Sequence, residues 1–151
     1  MKLAEALTLR GDLQKRAAQL QTRLHNNAKV QEGESPAEDP RQLLAELDSV
    51  MAELEEMITR INLTNSAALP EGGSITALLS RRDCLSRKTE ILRGFLDAAS
   101  SLVSRSTKGE LKVRSTVPVP ELQKQVDALS RELRELDVRI QGLNWTTELR
   151  E

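Results

Sequence analysis

The sequence predicts an all-α fold, mainly an antiparallel up-down four-helix bundle or a set of coiled-coil hairpins, and three observations support this prediction. Four segments carry apolar residues at alternating intervals of three and four, a spacing that keeps one helix face against one partner. Charged residues make up 30% of the chain and aromatic residues only 1%, so the core must be aliphatic. The 151 residues are enough for a single helical domain over residues 1–151.

The four apolar stripes place the helices at about residues 3–27, 41–64, 75–103 and 120–144. The stripe of the first helix and that of the third are each interrupted by polar residues. In chain order the members are Leu3, Ala6, Arg10, Leu13, Ala17, Leu20 and Leu24; Leu44, Leu47, Met51, Leu54, Ile58 and Ile61; Ile75, Leu78, Arg82, Leu85, Thr89, Leu92, Leu96, Ala99 and Val103; and Leu122, Val126, Leu129, Leu133, Leu136, Ile140 and Leu143.

The first connection is a long loop, residues 26–40, in which Gly33 and Pro36 prevent a continuous helix. Asp39 followed by Pro40 predicts an N-cap with proline at the first helical position. The loop is longer than a simple helical hairpin needs, and such loops are often either mobile or functional. We therefore expect residues 26–40 to be available to a protein partner.

A short β-strand or hairpin is predicted before the last helix. Residues 110–117 alternate apolar with polar side chains, which is the period of a half-buried strand. A single short strand needs a partner, and Lys29–Gln31 of the long loop could supply one within the chain or from another subunit. Pro118 and Pro120 then end the strand and begin the last helix.

The net charge of −1 argues against a broad, sequence-independent nucleic-acid surface, since that affinity needs many uncompensated cations. By segment the net charge alternates: +4 for residues 1–30, −7 for 31–60, +5 for 75–120 and −2 for 121–151. In an up-down bundle each neighbouring pair would then carry opposite charge. Each exposed ion pair contributes little, but the alternation disfavours wrong helix pairings.

The sequence offers no combination of residues that is typical of a catalytic or metal site. His25 and Cys84 are the only histidine and cysteine, and parallel first and third helices would separate them by roughly 20 Å. No second histidine is present to complete a metal site, and no Gly-rich phosphate loop occurs. We therefore expect no catalytic residues, no metal and no cofactor, and a protein that is not an enzyme.

A polar cluster is predicted at one end of the bundle. Arg10 and Arg82 each occupy a stripe position where leucine is expected, seven residues after the first stripe residue of their helix. A buried guanidinium needs a paired acid or several acceptors. The cluster either fixes helix register, as buried polar residues do in coiled coils, or binds a ligand. Its members are Arg10, Arg82, Asp83, Asn62, Asn65 and Asn144, with Trp145 as an apolar lid.

Several short segments resemble a septicolysin-like family of small bacterial proteins. They are Asn27–Glu34, Glu38–Pro40, Ile61–Asn65, Arg81–Asp83 and Leu143–Leu149, of which the Asn-Trp-Thr-Thr-Glu-Leu ending is the most specific. The resemblance implies a membrane-active cytolysin. The sequence argues against pore formation, because it has no secretion signal, no spanning apolar run and only one short alternating stretch.

The leading functional hypothesis is a non-enzymatic, cytoplasmic helical-bundle protein that acts by association. We expect a homo-oligomer, with a possible protein partner at residues 26–40 or 110–117 and with neither nucleic acid nor a membrane as partner. The alternative is a small-molecule or anion binding protein that uses the polar end of the bundle. A third hypothesis is the cytolysin that the resemblance implies.

Overall fold

The computed structural model describes residues 1–101 and 112–151, and its regular structure in these ranges is helical, as the sequence predicts. The bounds of the first, second and fourth helices agree with the predicted ones to within two residues, whereas the third begins at the predicted residue and ends at Ser100, before the predicted end. Residues 102 and 103, at the predicted end of the third helix, lie outside the described ranges. The helices are α1 (Leu3–Asn26), α2 (Pro40–Ser66), α3 (Ile75–Ser100) and α4 (Val119–Thr146).

The chain divides into two compact units. The first unit contains Met1–Pro70 together with Gly142–Glu151, and the second unit contains Glu71–Gln141. The first unit therefore includes α1, α2 and the end of α4 with the C-terminal residues. The second unit contains α3 and most of α4.

Local sequence signals explain where α2 and α3 begin. The Asp39 carboxylate accepts a hydrogen bond from the Arg41 backbone N–H at 3.0 Å, with Pro40 in the first turn, which confirms the predicted N-cap. The Ser74 hydroxyl caps α3 by accepting from the Ala77 N–H at 3.2 Å. Each cap satisfies a donor that the first helical turn leaves without an intrahelical partner.

In the first unit, α1 and α2 pack as an antiparallel hairpin. Two ion pairs connect the helices and the loop between them: Arg16 with Glu46 at 2.8 Å and Arg23 with Glu38 at 2.6 Å. The loop is also closed by Asn27, whose Oδ1 accepts from the Glu38 N–H at 2.9 Å. The buried residues of this hairpin are Leu3, Ala6, Leu13 and Leu20 from α1, and Leu43, Val50, Leu54, Met57, Ile61 and Thr64 from α2.

The residues after α4 form a C-terminal clasp, residues 147–150, that joins the start of α1 to the end of α2. The Leu3 N–H donates to the Thr147 carbonyl and the Leu149 N–H to the Met1 carbonyl, both at 2.9 Å. On the α2 side, the Arg150 N–H donates to the Thr64 hydroxyl at 2.9 Å. Backbone bonds of this kind tie together segments that are far apart in the sequence.

In the second unit, the end of α3 packs against the first turns of α4. Leu96, near the end of α3, forms a small apolar cluster with Leu122 and Val126, near the start of α4. Arg93 of α3 donates to the Ser130 hydroxyl of α4 at 2.8 Å. Every described member of the predicted stripes of α3 and α4 is buried or half-buried, which confirms their assignment in the described residues.

The prediction of a strand at residues 110–117 is wrong for residues 112–117, which the structure describes. Residues 112–117 have irregular backbone, residues 110 and 111 lie outside the described ranges, and Lys29–Gln31 forms no strand either. An isolated β-bridge joins Lys2 to Glu148. Alternating apolar and polar side chains favour a strand only where a second segment offers free backbone groups. No described segment pairs with residues 112–117.

Candidate interaction surface

Helix α2 carries two apolar stripes, and only one of them is buried. The predicted stripe included Leu44, Met51 and Ile58, but these side chains are 51%, 47% and 37% exposed. The residues next to the last two in sequence, Val50 and Met57, are 1% and 7% exposed. Successive residues of an α-helix are about 100° apart, so the two stripes occupy different faces of α2. For α2 the predicted stripe is therefore wrong at these three positions.

We call Leu44, Met51 and Ile58 the α2 outer stripe. They recur every seven residues, so they stay within about 20° of one another from one heptad to the next. Two heptads extend about 21 Å along the helix. Asp48 and Glu55 lie between them on the same face and are exposed. The result is a straight apolar stripe with interspersed carboxylates.

An apolar groove continues the α2 outer stripe at the tip of the hairpin. It has a volume of about 350 Å³ and is lined by Leu24, His25, Ala28, Pro40 and Leu44. His25 and Ala28 lie at the end of α1 and the start of the long loop. Part of the loop predicted to meet a partner is therefore continuous with the exposed apolar face.

Helix α3 has an exposed apolar surface as well. A groove of about 500 Å³ lies along it, lined by Asp83, Cys84, Arg87, Lys88, Ile91 and Leu92. Ile91 is 58% exposed, and Phe95, one turn further along the helix, is 44% exposed. We call Cys84, Ile91 and Phe95 the α3 outer stripe. Like the α2 outer stripe, it lies beside charged side chains.

The residues of the predicted polar cluster are divided between the two units. Arg82 and Asp83 lie in the second unit and form an ion pair at 2.9 Å. The other five lie in the first unit. Within the described ranges, no hydrogen bond or ion pair joins any two of the seven except this pair. The first-unit members are Arg10, Asn62, Asn65, Asn144 and Trp145.

Two buried polar atoms in the first unit have no hydrogen-bond partner among the described residues, namely Arg10 Nε and Asn65 Oδ1. Both side chains are half-buried, as is Asn144, whereas Asn62 is exposed. Trp145 is 64% exposed, so its ring does not have the burial expected of an apolar lid. The role of this cluster stays a prediction.

Ion pairs lower the pKa of several carboxyl groups at the ends of the helices. Hydrogen bonds from Arg23 hold the pKa of Glu38 below its ordinary value. A hydrogen bond from Lys2, assisted by the N-terminal ammonium group, does the same for Glu148 of the clasp. The pKa of Glu71 is lowered by its own backbone N–H and by Arg139. Glu71 and Glu148 are exposed and Glu38 is only half-buried, so solvent screening keeps these contacts weak.

Neither the histidine nor the cysteine is part of a recognisable reactive group. Cys84 is an exposed free thiol on α3, and His25 Nδ1 lies 2.7 Å from the Gln21 carbonyl oxygen, to which a protonated Nδ1 donates. The described residues contain no group of three or more His, Cys, Asp or Glu that could hold a metal ion. In the same residues, no helix has both the length and the apolar character required to cross a membrane.

Comparison with other proteins corrects the resemblance suggested by the short motifs. A family model described as a family of unknown function (DUF6847) matches residues 10–149. The chain is also similar to the crystal structure of a functionally unknown conserved protein from Corynebacterium diphtheriae. The two share 40% sequence identity and a TM-score of 0.87, and the match covers 99% of each chain. No match was found among the curated proteins.

The septicolysin-like assignment is therefore wrong, because neither the family model nor the similar structure points to it. Its most specific motif, at Leu143–Leu149, overlaps the end of α4 and the clasp, where polar residues and backbone groups tie chain ends together. Short motifs at helix ends are a weak basis for a family assignment, since capping alone favours such residues. The family model spans nearly the whole chain, and the chain belongs to this family of unknown function, DUF6847.

Proposed function

We propose that this protein is not an enzyme and acts by association, in the simplest case with further copies of itself. The observation that supports the proposal best is the α2 outer stripe, Leu44, Met51 and Ile58, which is apolar and exposed over two heptads. Single exposed apolar residues are common on proteins, but aligned ones with a polar border mark interaction surfaces.

The two stripes of α2 have different physical consequences. The buried stripe with Val50 and Met57 packs in the hairpin, and its apolar area stabilises the fold whatever else the protein binds. The α2 outer stripe adds nothing comparable to the hairpin, because its side chains remain largely in water. A second helix laid along it would bury it, and its seven-residue spacing is the one that helix pairs use.

We propose a cytoplasmic location for this protein and a protein surface as its partner. The single cysteine suits a reducing compartment, as the sequence predicts. Asp48 and Glu55, beside the apolar residues, favour a protein partner over nucleic acid, because their charges repel phosphates.

The test is the concentration dependence of the sedimentation coefficient, measured for the wild type and for the double variant Met51→Gln, Ile58→Gln. We expect the wild type to sediment faster as its concentration rises through the micromolar range and the double variant to remain a monomer. Val138→Gln is the matched control, since Val138 is an exposed apolar residue of α4 outside the stripe. A wild type that stays monomeric, or a double variant that associates equally well, contradicts the proposal.

A second candidate function is anion binding in the first unit. The buried Arg10 Nε and its lack of a described partner favour it, because a guanidinium of this kind gains from an acceptor such as a phosphate or sulfate oxygen. Its test is the melting temperature with and without inorganic phosphate, for the wild type and for Arg10→Leu. Phosphate should stabilise only the wild type. Equal responses of the two proteins would instead support a role of Arg10 in helix register.

A further inference from the structure

We infer that the partner of the α2 outer stripe is the α3 outer stripe of a second copy of this chain. This inference rests on the proposed function and specifies the two surfaces that meet. The acidic, apolar face of α2 in one copy would pack against the cationic, apolar face of α3 in another. Charge complementarity and matching spacing on these two faces carry the argument.

The charges on the α2 face are available for a partner. Asp48 and Glu55 are exposed, and neither forms an ion pair with any described residue. Two other acids on α2 differ from them, because Glu46 is held by Arg16 and Glu56 lies near Arg60 at 3.8 Å. Glu53 also lacks a cation but lies on the opposite side of α2, so Asp48 and Glu55 are the carboxylates beside the α2 outer stripe that have no described cation partner.

The α3 face offers the complementary charge. Lys88 is exposed beside the α3 outer stripe and has no acidic partner in the part of the chain that the structure describes. Arg87 makes only a long, exposed contact with Glu90 at 3.5 Å. The acid that lines the groove, Asp83, is already paired with Arg82 at 2.9 Å. The charge left for a partner on this face is therefore positive.

The charges also disfavour the two symmetric pairings of like faces. Two α2 faces would bring Asp48 and Glu55 of both copies together, and two α3 faces would do the same with Arg87 and Lys88. Like charges at an interface cost several kcal/mol, and this penalty selects against wrong pairings. The unlike pairing instead places carboxylates opposite cations.

The spacing of the two faces matches. On α3, Cys84 and Ile91 are seven residues apart. On α2, Leu44, Met51 and Ile58 follow one another at the same interval of seven residues. Two helices with the same repeat can remain in contact along their length, whereas a mismatch would move the apolar residues apart. Ile91 and Phe95 supply the large apolar side chains on α3, and the groove beside them has room for one from α2.

The first test reverses the charges on each face separately. Asp48→Lys, Glu55→Lys alters the α2 face, and Arg87→Glu, Lys88→Glu alters the α3 face. Each double variant alone should associate about 10- to 100-fold more weakly than the wild type, because like charges then meet. Mixed in equal amounts, the two variants should form a heterodimer, since each contributes the intact face that the other lacks.

The α3 variant measured alone separates this inference from a pairing of α2 faces. If α2 faces paired with each other, Arg87→Glu, Lys88→Glu would associate as strongly as the wild type, whereas this inference expects weaker association. Placing all four substitutions in one chain should restore self-association, because the charges are then complementary again. Equal association of both double variants and the wild type would overturn the inference.

The second test uses the single cysteine as a probe. Met51→Cys places a thiol in the middle of the α2 outer stripe, and Cys84 already lies on the α3 face. Mild oxidation should link Cys84 of one copy to the introduced cysteine of another. The controls are Met51→Cys with Cys84→Ser, and Val138→Cys, and neither should yield an oxidised dimer efficiently. A dimer formed by Met51→Cys with Cys84→Ser, or a disulfide within one chain, would overturn the inference.

Sedimentation of the wild type distinguishes the failure of this inference from the failure of the proposed function. If the wild type is a monomer throughout the micromolar range, both fail. If it associates and Met51→Gln, Ile58→Gln abolishes association while the charge variants have no effect, the α2 outer stripe is used but its partner is not the α3 face.

Discussion

The two apolar faces of α2 have similar composition but opposite environments. Val50 and Met57 lie in the core of the first unit, whereas Met51 and Ile58, each one residue further along, lie at the surface. Hydrophobicity alone does not separate these pairs. What separates them is the position of α1, which covers one face of α2 and leaves the other exposed.

An apolar repeat can therefore stabilise the fold or bind a partner, and one helix can carry a repeat of each kind. The buried face is fixed by packing inside the chain. The exposed face carries charges without partners inside the described chain, at Asp48 and Glu55, as expected of a surface that a second molecule completes. The following predictions test whether the two faces have separate roles.

The largest effect is expected from the same substitution made on each face. Met57→Ala should lower the free energy of unfolding by about 2 to 5 kcal/mol, because it removes a buried side chain and leaves a cavity. Met51→Ala should change it by no more than about 0.5 kcal/mol in the monomer, since surface substitutions have small effects. Urea unfolding at low protein concentration measures both. Equal losses would mean that the two faces are not distinct.

A smaller effect is expected from two threonines of α2. Thr64, on the buried face, donates to the Arg60 carbonyl at 2.8 Å and accepts from the Arg150 N–H of the clasp. Thr59 is exposed and makes only the first kind of bond, to the Glu55 carbonyl at 2.9 Å. Thr64→Val should cost about 1 to 3 kcal/mol, because it leaves the Arg150 donor without its partner.

Thr59→Val is the matched control for this prediction, because it removes a hydroxyl that makes the same bond within the helix but does not touch the clasp. Its unfolding free energy should stay within about 0.5 kcal/mol of the wild type. Hydrogen exchange of the Leu149 amide, which donates to the Met1 carbonyl, should accelerate in Thr64→Val only. Equal exchange rates in both variants would show that Thr64 does not hold the clasp.

The smallest effect is expected from the exposed ion pairs when the pH falls. Arg23 lowers the pKa of Glu38 and Lys2 lowers that of Glu148, so the unfolded chain binds protons more readily than the folded one. Their contribution is present above the ordinary value of 4.5 and is lost as the pH falls through the lower folded values.

Urea unfolding between neutral and acid pH checks this prediction, with Glu148→Gln compared with the wild type. The variant should be slightly less stable at neutral pH and should lose less stability on acidification. The difference in unfolding free energy between Glu148→Gln and the wild type should shrink at high ionic strength, because salt screens an ion pair at the protein surface. A difference that persists at acid pH would show that the glutamate acts through something other than its charge.

Much of the fold can be predicted from the sequence because helices depend on neighbouring residues. The bounds of α1, α2 and α4 lie within two residues of the predicted ones, and the cap at Asp39 is confirmed. The stripes of α1, α3 and α4 are also confirmed in the described residues, since each of their described members is buried or half-buried.

The predictions that failed depend on distant residues. The strand at residues 110–117 required a partner segment, and alternation cannot supply one. The stripe of α2 was misassigned because residues such as Leu54 and Ile61 fit both faces, and the choice between faces depends on how α1 packs. The clasp was not predicted either, since hydrogen bonds between residues near 1 and 148 leave no local signal.

The periodicity of the sequence correctly places Leu44, Met51 and Ile58 on one apolar face of α2. The prediction that this face lies in the core is wrong. Periodicity and helix caps act within a few residues, so the helical, aliphatic character of the chain follows from its sequence. Which apolar face of α2 is buried depends instead on contacts with α1, because two faces of similar hydrophobicity compete for the same neighbour.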